Sequence, residues 1–369
     1  MRQRWSVAVL GIATAVLFGY VATHRDPVQR PEPPAAAPTT QPGLPRVVGT
    51  RVRGPDGLKV LVSGRYPEII DTSTGHAAPV PGVQLSAGER AAVQLVPAGT
   101  VVAETAPGTS RVRTTLTPIL GPRRPILLGD DVVVVPAARG TDLYVADRGP
   151  ASTKVSVTAG TGKVRTAWTA GGRLSPLRDT AAGLVAVGVD DREVTDVRLL
   201  DPRTGALRRR LAVGAIVVTV GPSSLAYVQA SCPRDCPVTV VRLVDGRSRD
   251  YRMPAGSGNP GTGAFAADGR WLALGVPGQY RNGRLVVVPG FAEVLDLGTG
   301  VVVRVPGLET AAERAPDLSW SGGTLVLGVW SADGGQVASW STDRQEELRV
   351  LPADPPGDAA FSSVTVLPP

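Results

Sequence analysis

The sequence predicts an all-β fold: a β-propeller of seven four-stranded blades, preceded by one transmembrane helix. Three observations predict it. A unit of turn, strand, turn and strand recurs between residues 46 and 369 at about 46 residues a copy, and a period of about 40–50 with four short strands per unit marks a propeller. Gly 44 and Pro 34 accompany a hydrophobic fraction of 43%, which excludes a disordered chain and suits many short strands joined by turns. No stretch after residue 25 has a capped helical period, whereas residues 5–23 form one uncharged run. One meander alone leaves its faces and edges exposed; closing a ring of them buries the faces.

The N-terminal run is bracketed by Arg2 and Arg4 on one side and by His24 and Arg25 on the other. Nineteen helical residues span about 28 Å, close to the roughly 30 Å hydrocarbon core of a bilayer. A cleaved signal peptide has a shorter apolar core with a small-x-small site behind it. Ala13-Thr14-Ala15 has that spacing but lies in mid-run. The expectation is therefore an uncleaved signal anchor, with a soluble secreted propeller after cleavage as the alternative. The basic flank keeps residues 1–4 as a cytoplasmic stub and puts everything after residue 23 outside the cell membrane. Residues 24–45 read as an extracytoplasmic linker. Arg30-Pro31-Glu32-Pro33-Pro34-Ala35-Ala36-Ala37-Pro38 favours polyproline II, and at about 3.1 Å per residue twenty such residues reach at most roughly 60 Å.

The repeat fills residues 46–369. Its first part is a polar or glycine turn feeding an apolar strand. Copies are Pro55-Asp56-Gly57-Leu58, Ala87-Gly88-Glu89-Arg90-Ala91-Ala92-Val93, Gly129-Asp130-Asp131-Val132 and Ala182-Gly183-Leu184, followed by Gly221-Pro222-Ser223-Ser224, Asp268-Gly269-Arg270-Trp271 and Gly322-Gly323-Thr324. Its second part is a strand ending in a tight turn. The clearest copies are Asp71-Thr72-Ser73-Thr74-Gly75, Asp201-Pro202-Arg203-Thr204-Gly205 and Asp296-Leu297-Gly298-Thr299-Gly300. Weaker ones end Val102-Ala103-Glu104-Thr105, Val157-Thr158-Ala159-Gly160, Leu243-Val244-Asp245-Gly246 and Trp340-Ser341-Thr342-Asp343. In these turns the Asp carboxylate accepts backbone N–H groups and Gly takes positive φ. The copies are degenerate, so six or eight units stand beside seven as alternatives. First-strand candidates occur at both ends, at 46–52 and 361–367, and one of them is expected to close the ring.

The unit Ala267-Asp268-Gly269-Arg270-Trp271-Leu272-Ala273 resembles the PDGRWLA repeat of TolB-type and WD40-like bacterial β-propellers, strongly over 264–307 and at the level of the repeat over the rest. It has Ala267 where that pattern has Pro, and the chain holds no Trp-Asp dipeptide, which separates it from a standard WD40 array. The resemblance implies a propeller with a binding role and fixes no ligand.

Little of the sequence carries catalytic chemistry. The two cysteines, Cys232 and Cys236, lie between two strands; their spacing across a hairpin tip suits a structural disulfide. A metal site needs further ligands, and beyond the linker the only histidine is His76. Gly256-Ser257-Gly258-Asn259-Pro260-Gly261 matches G-x-G-x-x-G, but a dinucleotide motif opens a helix, and here a strand pattern follows. Ser331-Ala332-Asp333-Gly334-Gly335 reads as a turn. Asp190-Asp191-Arg192-Glu193 with Asp196 is the densest acidic patch, and Asp130-Asp131 reads as turn chemistry. The near absence of histidine removes the usual general base. A carboxylate-dependent enzyme acting on wall glycans remains the alternative, since two carboxylates from different blades would suffice. Arg208-Arg209-Arg210 and the net charge of +7 lack the interleaved aromatics of a nucleic-acid surface.

These readings lead to a monomeric, membrane-anchored extracytoplasmic propeller, not an enzyme and without cofactor, metal or nucleic acid, that binds a protein or cell-wall glycan. Binding residues are sought where copies depart from the repeat: the Cys232–Cys236 tip, the glycine loop with Gly256, Asn259 and Gly261, and the 277–289 insertion with Tyr280, Arg281 and Asn282.

Overall fold

The computed structural model describes residues 50–51, 57–64, 67–85, 89–105, 109–119, 124–149, 151–189, 194–281, 286–288, 290–308, 314–331, 334–351 and 363–367. The expected stub (1–4), span (5–23) and linker (24–45) lie outside them, as do 190–193 and Asn282. Among the described residues, no helix is long and apolar enough to cross a membrane.

The structure is a seven-bladed β-propeller whose blades follow one another along the chain. Blades 2 to 6 are four-stranded meanders with the first strand innermost. Blade 2 comprises Arg90–Val96, Gly99–Thr105, Val112–Pro118 and Ile126–Asp130. Blade 3 comprises Val133–Pro136, Leu143–Arg148, Ser152–Thr158 and Val164–Gly171. Blade 4 comprises Arg173–Thr180, Gly183–Val189, Thr195–Leu200 and Leu207–Val213. Blade 5 comprises Ala215–Val220, Ser224–Gln229, Val238–Arg242 and Ser248–Tyr251. Blade 6 comprises Thr262–Phe265, Trp271–Val276, Phe291–Asp296 and Val302–Arg304.

Both ends of the chain close the ring. Blade 1 takes Lys59–Ser63, Glu68–Asp71 and Ala77–Pro79 from one end and its innermost strand, Ser363–Val366, from the other. Blade 7, Asp317–Ser321 to Arg344–Val350, receives Thr50–Arg51 as a parallel strand on its outer edge. The two first-strand candidates thus have different tasks, one at the axis and one at the rim. Asp317 secures the inner one. Its Oδ2 accepts the Val364 N–H at 3.0 Å and the Trp330 indole N–H at 2.8 Å, and two residues on, Ser319 Oγ accepts the Val366 N–H at 3.2 Å.

Among the described residues, seven apolar clusters hold the ring, one in each interface between neighbouring blades. Leu177, Val185 and Val197 of blade 4 meet Leu225, Tyr227 and Val241 of blade 5. Leu272, Leu274 and Leu295 of blade 6 meet Val238 and Tyr251 of blade 5. Trp271 packs with Leu325, Trp340 and Leu348 of blade 7. Because each blade is covered on both sides, its second and third strands are buried almost throughout, as in Leu184–Gly188 (0–2% exposed at Leu184, Val185, Ala186 and Val187). A strand buried on both faces reads as a continuous apolar run, not an alternating one.

Blade 2 and the opening strand of blade 3 are placed one strand away from the sequence reading, whereas the Val157-Thr158-Ala159-Gly160 turn of blade 3 closes its third strand as expected. Arg90–Val96 is the innermost strand of blade 2, so Gly99–Thr105 is its second. Val133–Pro136 is likewise innermost in blade 3. The inner turns there are Pro97-Ala98 and the longer 137–142 connection, neither carrying an Asp-Gly signal. The polar residues before each inner strand imitate the missing turn.

The antiparallel order separates two faces. One carries the tight turns that join first to second and third to fourth strands; the other carries the connections between blades and between second and third strands. On the turn face the Asp-x-x-Thr-Gly copies act as expected. Asp201 Oδ1 accepts the Arg203 and Thr204 N–H groups at 3.0 Å each, and Asp296 Oδ1 accepts that of Gly298 at 2.9 Å. The Arg208 guanidinium, 2.6 Å from Asp201 Oδ2, and these N–H donors hold the Asp201 carboxyl down to about 2. Gly205 has φ +72, and a side-chain carbon there would run into the Trp168 ring of blade 3, so glycine serves both the turn and the packing against the preceding blade.

Candidate functional site

The loop face of blades 5 and 6 gathers the departures from the repeat. The tip 230–237 joins the second and third strands of blade 5. Cys232 and Cys236 are disulfide-bonded there, with Cα atoms 5.8 Å apart. Asp235 between them takes φ 51, a left-handed conformation that Asp tolerates. The connection 252–261 leads from blade 5 to blade 6 and turns at Gly256 (φ +83) and Gly258 (φ +73).

Asn259 joins the two loops. Its Oδ1 accepts the Cys236 N–H at 3.1 Å and its amide nitrogen donates to the Cys232 carbonyl at 3.4 Å. The Gly258 N–H donates to Asp235 Oδ1 at 2.8 Å. The disulfide tip and the glycine loop therefore form one pre-shaped surface, from which Pro233, Arg234, Asp235 and Ala255 stand exposed. Gly256 faces open space. Gly261 is fixed to blade 6 through its N–H to the Gly275 carbonyl at 2.8 Å, and a side-chain carbon there would meet Pro277 at 3.5 Å. Pro277 opens the insertion, which carries a hairpin outside the blade sheets: Gln279–Arg281 pairs with Val286–Val288, Tyr280 opposite Val287. Tyr280 and Arg281 thus start from the same corner of the face as Gly261.

Beneath this surface lies a residue that sequence reasoning missed. Glu293, in the third strand of blade 6, is 2% exposed. Ser257 Oγ donates to its Oε1 at 2.9 Å, while Oε2 is buried without a hydrogen-bond partner. Burial pushes the Glu293 carboxyl up, opposed by the Ser257 hydroxyl and the charge of Arg304 on the neighbouring strand. The available signal was its setting: a carboxylate inside Phe291-Ala292-Glu293-Val294-Leu295, a run with both faces buried.

The remaining candidates serve the scaffold. Arg208 pairs with Asp201, and Arg210 lies 3.1 Å from Asp196, which also holds Arg198 at 2.9 Å. Asp131 (φ 53) caps a turn by accepting the Val112 N–H at 2.9 Å, and Arg111 pairs with Asp130 at 2.5 Å. His76 sits in an exposed turn of blade 1, on the opposite face. The G-x-G-x-x-G stretch is followed by the strand Thr262–Phe265. Among the described residues, no cluster of three metal-ligating side chains occurs. Near the axis, Asp179 closes the innermost strand of blade 4 and Asp317 opens that of blade 7. The innermost strands run parallel to the axis in one direction, so these two carboxylates lie toward opposite mouths.

Fold and site together define a β-propeller with an elaborated corner on its loop face. Solved structures share the architecture. Prolyl oligopeptidase B from Galerina marginata aligns with 79% of this chain and 47% of its own at 11% identity, TM-score 0.56. A puromycin-hydrolyzing peptidase from Mycobacterium tuberculosis aligns with 85% and 54% at 14% identity, TM-score 0.50. TolB from Acinetobacter baumannii aligns with 86% and 68% at 13% identity, TM-score 0.48. The chain spans about half the length of the two peptidases. At these identities the likeness is one of fold. No family model and no curated protein sequence matches the chain.

Proposed function

We propose that this chain is a membrane-anchored extracytoplasmic β-propeller that binds a protein or cell-wall glycan, without catalysis, through the loop face of blades 5 and 6. The observation that carries the reading is the pre-shaped corner. Asn259 and Asp235 fasten the disulfide tip to the glycine loop, so its exposed residues are ordered before any partner arrives. Pre-ordering lowers the entropy cost of association. Asp179 and Asp317 lie toward opposite mouths, so that pair does not supply the two carboxylates about 5–9 Å apart that the glycan-cleaving alternative needs. Asp142, on the same ends as Asp179, is held by Arg165 at 3.0 Å. The uncharged run at 5–23 between basic residues supports the anchor.

The test is affinity capture of the full chain, solubilised in detergent from its own cells, beside an Asn259→Ala/Arg234→Glu variant. A partner or glycan recovered with the parent chain and at least tenfold depleted with the variant is the expected result. Equal recovery with both chains rules out this corner as the binding surface. Cell fractionation checks the anchor: a mature chain free in the medium and beginning after residue 20 overturns it.

A further inference from the structure

Exposed aliphatic side chains are concentrated on the turn face. Of the eight large apolar residues that stand exposed among the described residues, six (Ile119, Leu127, Val164, Leu207, Val244 and Val301) lie at the connection from third to fourth strand or in the first two residues beyond it, while Val194 and Val213 lie at the loop-face end of blade 4. The six occupy five consecutive blades, 2 to 6, and are 56–73% exposed, Val244 the most at 73%. No turn needs a valine or leucine at its tip; turn chemistry is served by Asp, Thr and Gly. Five adjacent blades presenting such residues at equivalent points form an apolar arc.

The arc carries positive charge. On the same ends of blades 2 to 5, Arg165, Arg208 and Arg242 are paired with Asp142, Asp201 and Asp245. Arg124, Arg139, Lys163 and Arg203 are exposed there as well, and Arg247 keeps 83% of its side chain exposed beside Asp245. Asp179 on those ends accepts the Ala138 N–H at 2.9 Å, and on blade 6 Arg270 pairs with Asp296 at 2.9 Å beside an exposed Asp268, which leaves the described residues of the arc with a positive surplus.

We propose that this turn face seats the propeller on an anionic bilayer surface. Three observations select that occupant. The surplus charge is positive, so a second copy of the same face would bring like charges together, whereas anionic headgroups complement it. The aliphatic residues lie at the same ends of five neighbouring blades, on one face of the ring; interfacial binding scales with apolar area plus attraction to anionic lipid. The sequence itself supplies a bilayer, because the uncharged run at 5–23, the expected span, precedes the propeller in the same chain. The inference builds on the proposed membrane attachment and deepens it, because a seated turn face holds the Asn259 corner outward toward a partner.

The full chain is reconstituted into nanodiscs of phosphatidylcholine alone or with about one-third phosphatidylglycerol, enough to set up a negative surface potential. Hydrogen–deuterium exchange is followed in peptides covering 119–127, 160–165, 203–208 and 244–247. Exchange slowed at least threefold by the anionic lipid, and restored by Val164→Asp/Leu207→Asp/Val244→Asp with unchanged thermal stability, is expected. Equal exchange in the two lipids, slowing at the loop-face peptides instead, or slowing without lipid that grows with protein concentration overturns the proposal. Retention of the chain in phosphatidylcholine discs after high-salt washing reads the anchor separately, so loss of one reading leaves the other measurable.

Discussion

At the scale of single residues, two acidic side chains show how position decides the part a carboxylate plays. Asp201 stands in water at a turn, where Arg208 and two backbone N–H groups favour its charged form. Glu293 is shut between blades 5 and 6 with one oxygen satisfied by Ser257, so its charge opposes burial. A carboxyl whose folded pKa is raised binds its proton more tightly in the folded chain than in the unfolded one. Its contribution to stability is therefore greatest below the unfolded value of about 4.3 and is lost as pH rises through the folded value. Glu293→Gln keeps an acceptor for Ser257 and removes the charge. The expected outcome is a variant more stable than the parent at pH 7–8 and nearly equal to it at pH 4, measured as thermal midpoints in a series of buffers. A variant that loses stability equally at every pH would show that Glu293 acts through its hydrogen bond and not its charge. Sequence reading did not reach this residue, because nothing in the linear order sets Ser257 against it.

At the scale of strands and turns, legibility followed the chemistry of the connection. Blades 4, 5 and 6 were readable because Asp and Gly occupy fixed turn positions, and the Asp201 and Asp296 hydrogen bonds are the physical content of that pattern. Blade 2 and the opening strand of blade 3 were read one strand out because Pro97-Ala98 and the 137–142 connection make the same geometry with other residues. The Cys232–Cys236 bridge was legible from spacing across a hairpin. The union of its tip with the glycine loop was not, since it rests on the Asn259 side chain reaching a segment 23 residues earlier and on Asp235 reaching forward to Gly258. The same holds for the clasp on the closing strand. Asp317 accepts N–H groups from Val364 and from Trp330, which is 2% exposed. Hydrogen bonds to a charged acceptor contribute about 1.5–3 kcal/mol each, and a buried donor left alone costs a similar amount. Asp317→Ala should therefore destabilise the chain by about 3 kcal/mol or more, whereas Asp343→Ala, in a turn of the same blade, should change it by less than about 0.5 kcal/mol. Denaturant midpoints of the two variants check the ranking, and equal midpoints would remove Asp317 from the closure.

At the scale of the whole molecule, stability belongs to interfaces more than to blades. Each of the seven apolar clusters draws on two neighbours, so no blade keeps its core if the next one leaves. In an open array of repeats, stability is a sum over units and nearest-neighbour contacts, and the ends can fray. Closure removes the ends. Here it depends on Ser363–Val366, whose four residues pair with Val60–Ser63 while Val364 enters the cluster shared with Trp330, Val326 and Val337 of blade 7. Thr50–Arg51 adds only two register pairs at the rim. Deleting 361–369 should thus cut the ring between blades 7 and 1 and expose two blade faces, leaving the other six interfaces intact. The parent is expected to melt as one cooperative unit, its calorimetric and van't Hoff enthalpies equal. The truncated chain is expected to melt earlier and over a broader range, with the calorimetric enthalpy exceeding the van't Hoff value as blades 1 and 7 unfold ahead of 3 to 5. Hydrogen exchange resolved by peptide would show the same order. An equally sharp transition at an unchanged temperature would mean that the inner strand is dispensable and that the ring is held by its neighbour contacts alone.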